Sequence, residues 1–257
     1  MPCDPCNDVL NGAILTEDGI REFLNEIATL QGALQSLRTD IKLEQKMLFT
    51  VYYQLPGKSY HARLIFTYDE KTGITLELIG GETYGIRPHT KMLPPPRSTA
   101  TDFLTYTDPQ TNETKRREDV FRVPNVKFQA SLNAIFQHGL HVMKNFGPYS
   151  KYTRNCQSFI LLVLKSLDVK APFTPTVQSL KTAAKVVSAP LWGAGSSLVG
   201  VFLSVLMITQ AVAAIIVGME LFADPDKDTL EKIGRNPSIK VIRGRGRWQE
   251  EGLGIEP

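Results

Sequence analysis

The stretch YHARLIFTYDEKTGITLELI, residues 60–79, decides how the chain folds. Ala62, Leu64 and Phe66 alternate with His61, Arg63 and Ile65, and after Asp69-Glu70-Lys71-Thr72-Gly73 the residues Ile74, Leu76 and Leu78 alternate with Thr75 and Glu77. Successive side chains of a strand point to opposite faces, so a period of two marks two strands, and the segment between them has turn chemistry. An antiparallel hairpin of this register puts His61, Arg63 and Glu77 on one face. A third run, Leu48 to Leu55, precedes the pair across Pro56-Gly57-Lys58-Ser59. Strands over 48–55, 60–68 and 74–79 therefore read as an antiparallel meander.

Upstream of the meander, Ile20, Phe23, Ile27, Leu30, Leu34, Leu37 and Ile41 fall in alternating steps of three and four. That spacing predicts an amphipathic helix over Glu17–Met47, with Thr16 as its N-cap and Glu17 and Asp18 at the positive end of its dipole. Its seam fits either its own domain or a coiled-coil partner. Downstream, residues 82–125 carry Pro88, Pro94-Pro95-Pro96 and Pro109 and read as an elaborated loop region with strands near Phe103–Thr107 and Val120–Val123. Phe128, Leu132, Ile135, Phe136, Leu140 and Met143 predict a helix from about Val126 to Asn145, ended by Gly147-Pro148. Further helices are expected over Cys156–Leu167 and Val177–Val187.

Composition bounds the function. The chain has 257 residues, 42% hydrophobic and 21% charged, which excludes wholesale disorder. A net charge of +3 gives no electrostatic footprint for nucleic acid. Three cysteines, Cys3, Cys6 and Cys156, are too few for a disulfide framework and suit a reducing compartment. Cys3 and Cys6 lack a second ligand pair at zinc spacing, so neither metal nor cofactor is expected. The N-terminus has no basic then apolar run, so no cleaved secretory signal is expected.

Val186–Met219 contains no Asp, Glu, Lys, Arg or His, and the 22 residues Leu198–Met219 are long enough, at ~1.5 Å each, to cross a ~30 Å hydrocarbon core. The expectation is a C-terminal transmembrane helix or hairpin. Lys181 and Lys185 precede the segment and Glu220, Asp224 and Asp226 follow it, which favours a cytosolic N-terminal domain on an intracellular membrane. Arg243-Gly244-Arg245-Gly246-Arg247 reads as part of a solvated basic tail.

Chemistry concentrates at Tyr152-Thr153-Arg154-Asn155-Cys156-Gln157-Ser158-Phe159. A cysteine at a helix N-terminus sits at the positive end of the dipole, which favours thiolate, and Asn155 is a good cap. Free N–H groups there can hold an oxyanion. A thiolate needs an acid/base partner, and His61, His89, His138 and His141 are the four histidines. His61, on a strand after a turn, is the best candidate. His138 and His141 suit a solvated helix face, and His89 a loop. Glu77 is placed to orient His61 or to pair with Arg63. The bland alternative is a buried Cys156 serving as a small hydrophobe.

A strand-borne His followed much later by Tyr-x-x-Asn-Cys-x-x-Phe at a helix start resembles the circularly permuted NlpC-like papain-fold proteins. Within them it is similar notably to the lecithin:retinol acyltransferase-like and PPPDE groups. The likeness covers about Leu48–Leu167 and implies His61 as base, Cys156 as nucleophile and Asn155 as the residue before it. Two positions depart from the acyltransferase pattern: Ala62 stands where an aromatic is usual, and Thr75 and Glu77 stand where a second His is usual.

The expected protein is then α+β, a papain-like antiparallel sheet with packed helices. Its parts are an N-terminal helix (1–47), a thiol domain (48–170), an amphipathic and membrane segment (171–223) and a basic polar tail (224–257). The expected activity is that of a membrane-associated cysteine hydrolase or acyltransferase with catalytic Cys156, His61 and Glu77, acting on a lipid ester or amide. Isopeptide cleavage on a ubiquitin-like modifier, and a non-enzymatic membrane-anchored interaction protein, are the alternatives. Lipid or protein acyl substrates, a membrane and a coiled-coil partner through Glu17–Met47 are the partners this implies.

Overall fold

The computed structural model describes residues 15–36, 41–55, 61–69, 72–81, 85–93, 103–108, 110–149, 154–170 and 227–244. It is an α+β protein. Among the described residues four helices, α1 (Glu17–Ser36), α2 (Leu132–Lys144), α3 (Cys156–Ser166) and α4 (Lys227–Ile233), accompany an antiparallel sheet. The strands are β1 (Met47–Gln54), β2 (Arg63–Thr67), β3 (Gly73–Gly81), β4 (Gly85–His89), β5 (Met92–Leu93), β6 (Thr105–Thr107), β7 (Thr114–Arg116), β8 (Val120–Ala130) and β9 (Lys240–Arg243). The main sheet runs β4-β3-β2-β1-β8-β9, with β5 also on β3, and β6-β7 form a separate hairpin.

The alternation read at 60–79 sets the two faces of this sheet. Leu64, Phe66, Ile74, Leu76 and Leu78 join Phe23 and Leu34 of α1, Phe136 of α2 and Phe159 of α3 in one buried cluster. Gly139 of α2 lies against Leu76, where an added Cβ would come within 2.8 Å of Leu76 Cδ2. The opposite face carries a smaller cluster of Tyr52, Ile65, Phe103 and Val120. Arg63 pairs with Glu77 across β2 and β3, so the polar residues of the hairpin belong to this second face.

Thr16 caps α1 as its type predicts, accepting from Gly19 N at 3.1 Å. The helix ends at Ser36, short of Met47, which opens β1. Its seam residues Phe23, Ile27, Leu30 and Leu34 are buried in the protein's own core, so the seam is already covered. The helix expected from Val126 is corrected too: residues 120–130 are β8, and α2 starts only at Leu132. Val126, Phe128 and Ala130 alternate buried with Lys127 and Gln129, and pairing to β1 on one side and β9 on the other fixes that period of two. Asn125, at φ +57°, turns the strand where the β1–β8 register shifts. The region 82–125 is not all loop: its described residues supply β4 to β7 and the start of β8.

The chain returns at its C-terminal end to the same body. Residues 227–244 form α4, which packs on α3, and β9, which edges the sheet beside β8. The segment expected to be a polar tail is therefore partly structural. Among the described residues no helix is long and apolar enough to cross a membrane. Leu198–Met219, on which that expectation rests, lies outside the described residues, as do Cys3, Cys6 and Val177–Val187.

Candidate functional site

Glu77 sits in the middle of β3 and is 2% exposed. His61, two residues before β2, reaches it diagonally, and His61 Nε2 hydrogen-bonds Glu77 Oε2. The imidazole's other nitrogen, Nδ1, is buried with no hydrogen-bond partner among the described residues. Thr75 Oγ1 lies 3.5 Å and Lys91 Nζ 3.7 Å from Glu77 Oε1. Burial pushes the Glu77 carboxyl up, but the His61 hydrogen bond and charge, followed by the charges of Lys91 and Arg63, outweigh it and hold the group at about 2.

Arg63 turns away from the ion pair that its register with Glu77 suggests. Its Nε donates to Gln54 Oε1 at 2.6 Å, and Gln54 Nε2 donates to Asp119 Oδ2 at 2.6 Å. With Arg63 engaged by Gln54, Glu77 is free to orient His61. Sequence reading missed Lys91, Gln54 and Asp119 because each lies on a different strand or loop and carries no local motif. Cross-strand pairing alone assembles them.

Cys156 stands where the sequence placed it, at the first residue of α3 and 1% exposed. Asn155 caps the helix, its Oδ1 accepting from Gln157 N at 3.0 Å and Ser158 N at 3.2 Å. Those two N–H groups, expected to be free for an oxyanion, are thus committed to the cap. Helix α3 packs on β2 and β3, the strands that position the His61–Glu77 pair. It does so from the helix side, and Cys156 belongs to the helix-side core. The structure brings His61 and Glu77 together, and it places Cys156 in the core under the helices.

The other histidines are all engaged. His89 Nδ1 lies 2.7 Å from Glu26 Oε1 of α1, which also accepts from Arg87 Nη2 at 2.6 Å. This clasp ties α1 to the edge strand β4, so His89 is a strand residue and not a loop one. His138, expected on a solvated face, is instead 2% exposed, with Nε2 2.8 Å from Ser166 Oγ of α3. Burial, followed by the neighbouring His141, lowers its pKa to about 4. His141 Nε2 donates to Ile233 O at 3.0 Å and links α2 to α4. Among the described residues no group of three or more His, Cys, Asp or Glu side chains could hold a metal ion.

Set beside known proteins, the chain matches no family model, no curated protein and no solved structure.

Proposed function

We propose that the chain is a membrane-associated thiol hydrolase or acyltransferase of papain-like type, acting on a lipid ester or amide through a thioacyl-enzyme. The observation that carries the reading is His61. Glu77 fixes its Nε2, while its Nδ1 is buried without a hydrogen-bond partner among the described residues. Leaving such a nitrogen unsatisfied costs about 1–3 kcal/mol, and a general base recovers that cost when a proton-bearing group docks against it.

In the reaction, Nδ1 takes the Cys156 proton and the thiolate attacks the acyl carbonyl, forming the S–C bond. The C–O or C–N bond breaks as the imidazolium returns its proton to the leaving alcohol or amine. Water, activated by the same nitrogen, then releases the acid, or a lipid hydroxyl or amine accepts the acyl group. Glu77 stays ionised throughout and stabilises the imidazolium.

The chemistry requires Sγ and Nδ1 to meet. A second reading draws on the burial of Cys156: it is a core residue, and the protein is a non-enzymatic membrane-bound interaction partner. One experiment divides the two. An acyl-mimicking electrophile should label Cys156 of the full chain at least tenfold faster than it labels the H61A variant, with E77Q between them. Equal rates in all three, no faster than an unfolded thiol, would leave only the second reading.

A further inference from the structure

Ala62 and Leu64 are fully buried in the helix-side core, which turns His61 and Arg63, two residues apart, to the opposite face. There the half-buried Arg63 guanidinium donates Nε to the neutral amide of Gln54 and makes no ion pair among the described residues. Glu77 and Asp119 act on it only through space, and Arg117 opposes it. A guanidinium drawn out of water is ordinarily paired with an anion. With His61 neutral, the cations Arg63, Lys91 and Arg117 stand against two carboxylates, Glu77 and Asp119, so the cluster is one negative charge short.

The other two cations of the cluster are occupied. Lys91 Nζ lies 3.7 Å from Glu77 Oε1, and the Arg117 guanidinium lies over the Tyr106 ring, 5.9 Å from its centroid. Arg63 is thus the cation left for a ligand. With Nε committed to Gln54, its two Nη groups form an in-plane fork, the donor pattern that matches the two oxygens of a carboxylate. Its neighbour on the same face is His61, whose buried Nδ1 has no hydrogen-bond partner among the described residues.

From this juxtaposition we infer that Arg63 sets the specificity of the site: the substrate is an N-acyl amino acid, a fatty amide whose leaving amine carries a free carboxylate. The Arg63 fork holds the carboxylate while the amide nitrogen lies at His61 Nδ1. Alternate residues of an extended chain are about 6.6 Å apart. An α-amino acid puts its carboxyl carbon about 2.5 Å from its nitrogen, and with a hydrogen bond of about 2.9 Å at each end it is of the length to bridge the two side chains. The inference takes its bond cleavage from the thiol reading above, while the anion contact stands on the placement of Arg63. In that cleavage the acyl C–N bond breaks, the imidazolium proton goes to the nitrogen, and water supplies the hydroxyl that ends on the acyl carbon. The products are a fatty acid and an amino acid.

The test measures binding and turnover separately, on the full chain in detergent. Binding is read by calorimetry on the C156S variant, with N-lauroylglycine, the uncharged N-lauroylglycinamide and dodecyl phosphate as probes. N-lauroylglycine should bind at least tenfold more tightly than either of the others. R63Q should bring its preference over the amide to within about twofold, and R63K, which keeps the charge and loses the fork, should fall between. Because R63K retains the cation, it decides the matter even where R63Q does not fold. Equal binding of the acid and the amide would overturn the anion contact, and equal binding of dodecyl phosphate would overturn the choice of a carboxylate. Turnover is read as release of glycine by the chain with Cys156 intact. Binding that depends on Arg63 without release of glycine would overturn the substrate assignment and the thiol chemistry and leave the anion contact standing. Cleavage of acid and amide at like rates, with or without Arg63, would overturn the specificity and leave the thiol chemistry standing.

Discussion

The two faces of the central sheet are built on different principles. The helix side is apolar and continuous, with Leu64, Phe66, Leu76 and Leu78 lying under α1, α2 and α3. The opposite side has only a small apolar cluster and carries the linked polar groups His61, Glu77, Arg63, Gln54 and Asp119. One face gains stability from area and close packing; the other spends polar burial on fixing the orientation of a few side chains. A substitution should therefore act mainly on stability on the first face, and on pH dependence and reactivity on the second.

The largest expected effect is on the helix side. Phe136 is fully buried and meets Phe23 edge to face at 6.4 Å, joining α2 to α1. F136A should cost about 3–5 kcal/mol in urea unfolding. A loss under 1 kcal/mol would show that this core is not close-packed.

Acid should separate the faces next. His138, on the helix side, has its pKa lowered from 6.5 to about 4, and Glu77, on the polar side, from 4.5 to about 2. In both windows the unfolded chain binds more protons than the folded one, so stability falls as pH falls. The His138 contribution is lost between about pH 6.5 and 4 and the Glu77 contribution between about 4.5 and 2, each on the order of 2–3 kcal/mol. Denaturant unfolding across these pH values should show H138Q flattening the upper limb and E77Q the lower. A single limb abolished by either variant alone would merge the two groups into one coupled site.

The smallest effect is at the end of α3, where the faces come nearest in sequence logic. N155A removes the acceptor for two N–H groups and should cost about 1 kcal/mol, read as a drop in Tm. No change in Tm would mean that the two N–H groups find other acceptors, which would bear on their availability to a substrate.

Local pattern made the meander, the Asn155 cap and the start of α3 legible in the sequence. Each depends on neighbours a few residues apart. The approach of His61 to Glu77 was legible for the same reason, since one short turn fixes the register of the hairpin. What the sequence concealed depends on distant chain. Residues 126–130 satisfy a helical spacing with Leu132 and Ile135 and a strand spacing among themselves, and only pairing to β1 and β9 decides between them. The burial of His138 is fixed by Ser166 on another helix, and the engagement of Arg63 by Gln54 on another strand. The burial of Cys156 follows from how α3 packs on the sheet, and no spacing motif encodes that packing.

The strand that finishes the sheet is made last. When the ribosome has completed α3, the edge of β8 still lacks its partner, and 70 residues separate Lys170 from Lys240. At ~5–20 residues per second that is a delay of roughly 4–14 s. Throughout it, an open strand edge and a long apolar segment coexist on the nascent chain. Early capture of the apolar segment by a membrane or chaperone would shield it, while β9, with Lys240 and Arg243 at its two ends, closes the edge only after synthesis reaches it.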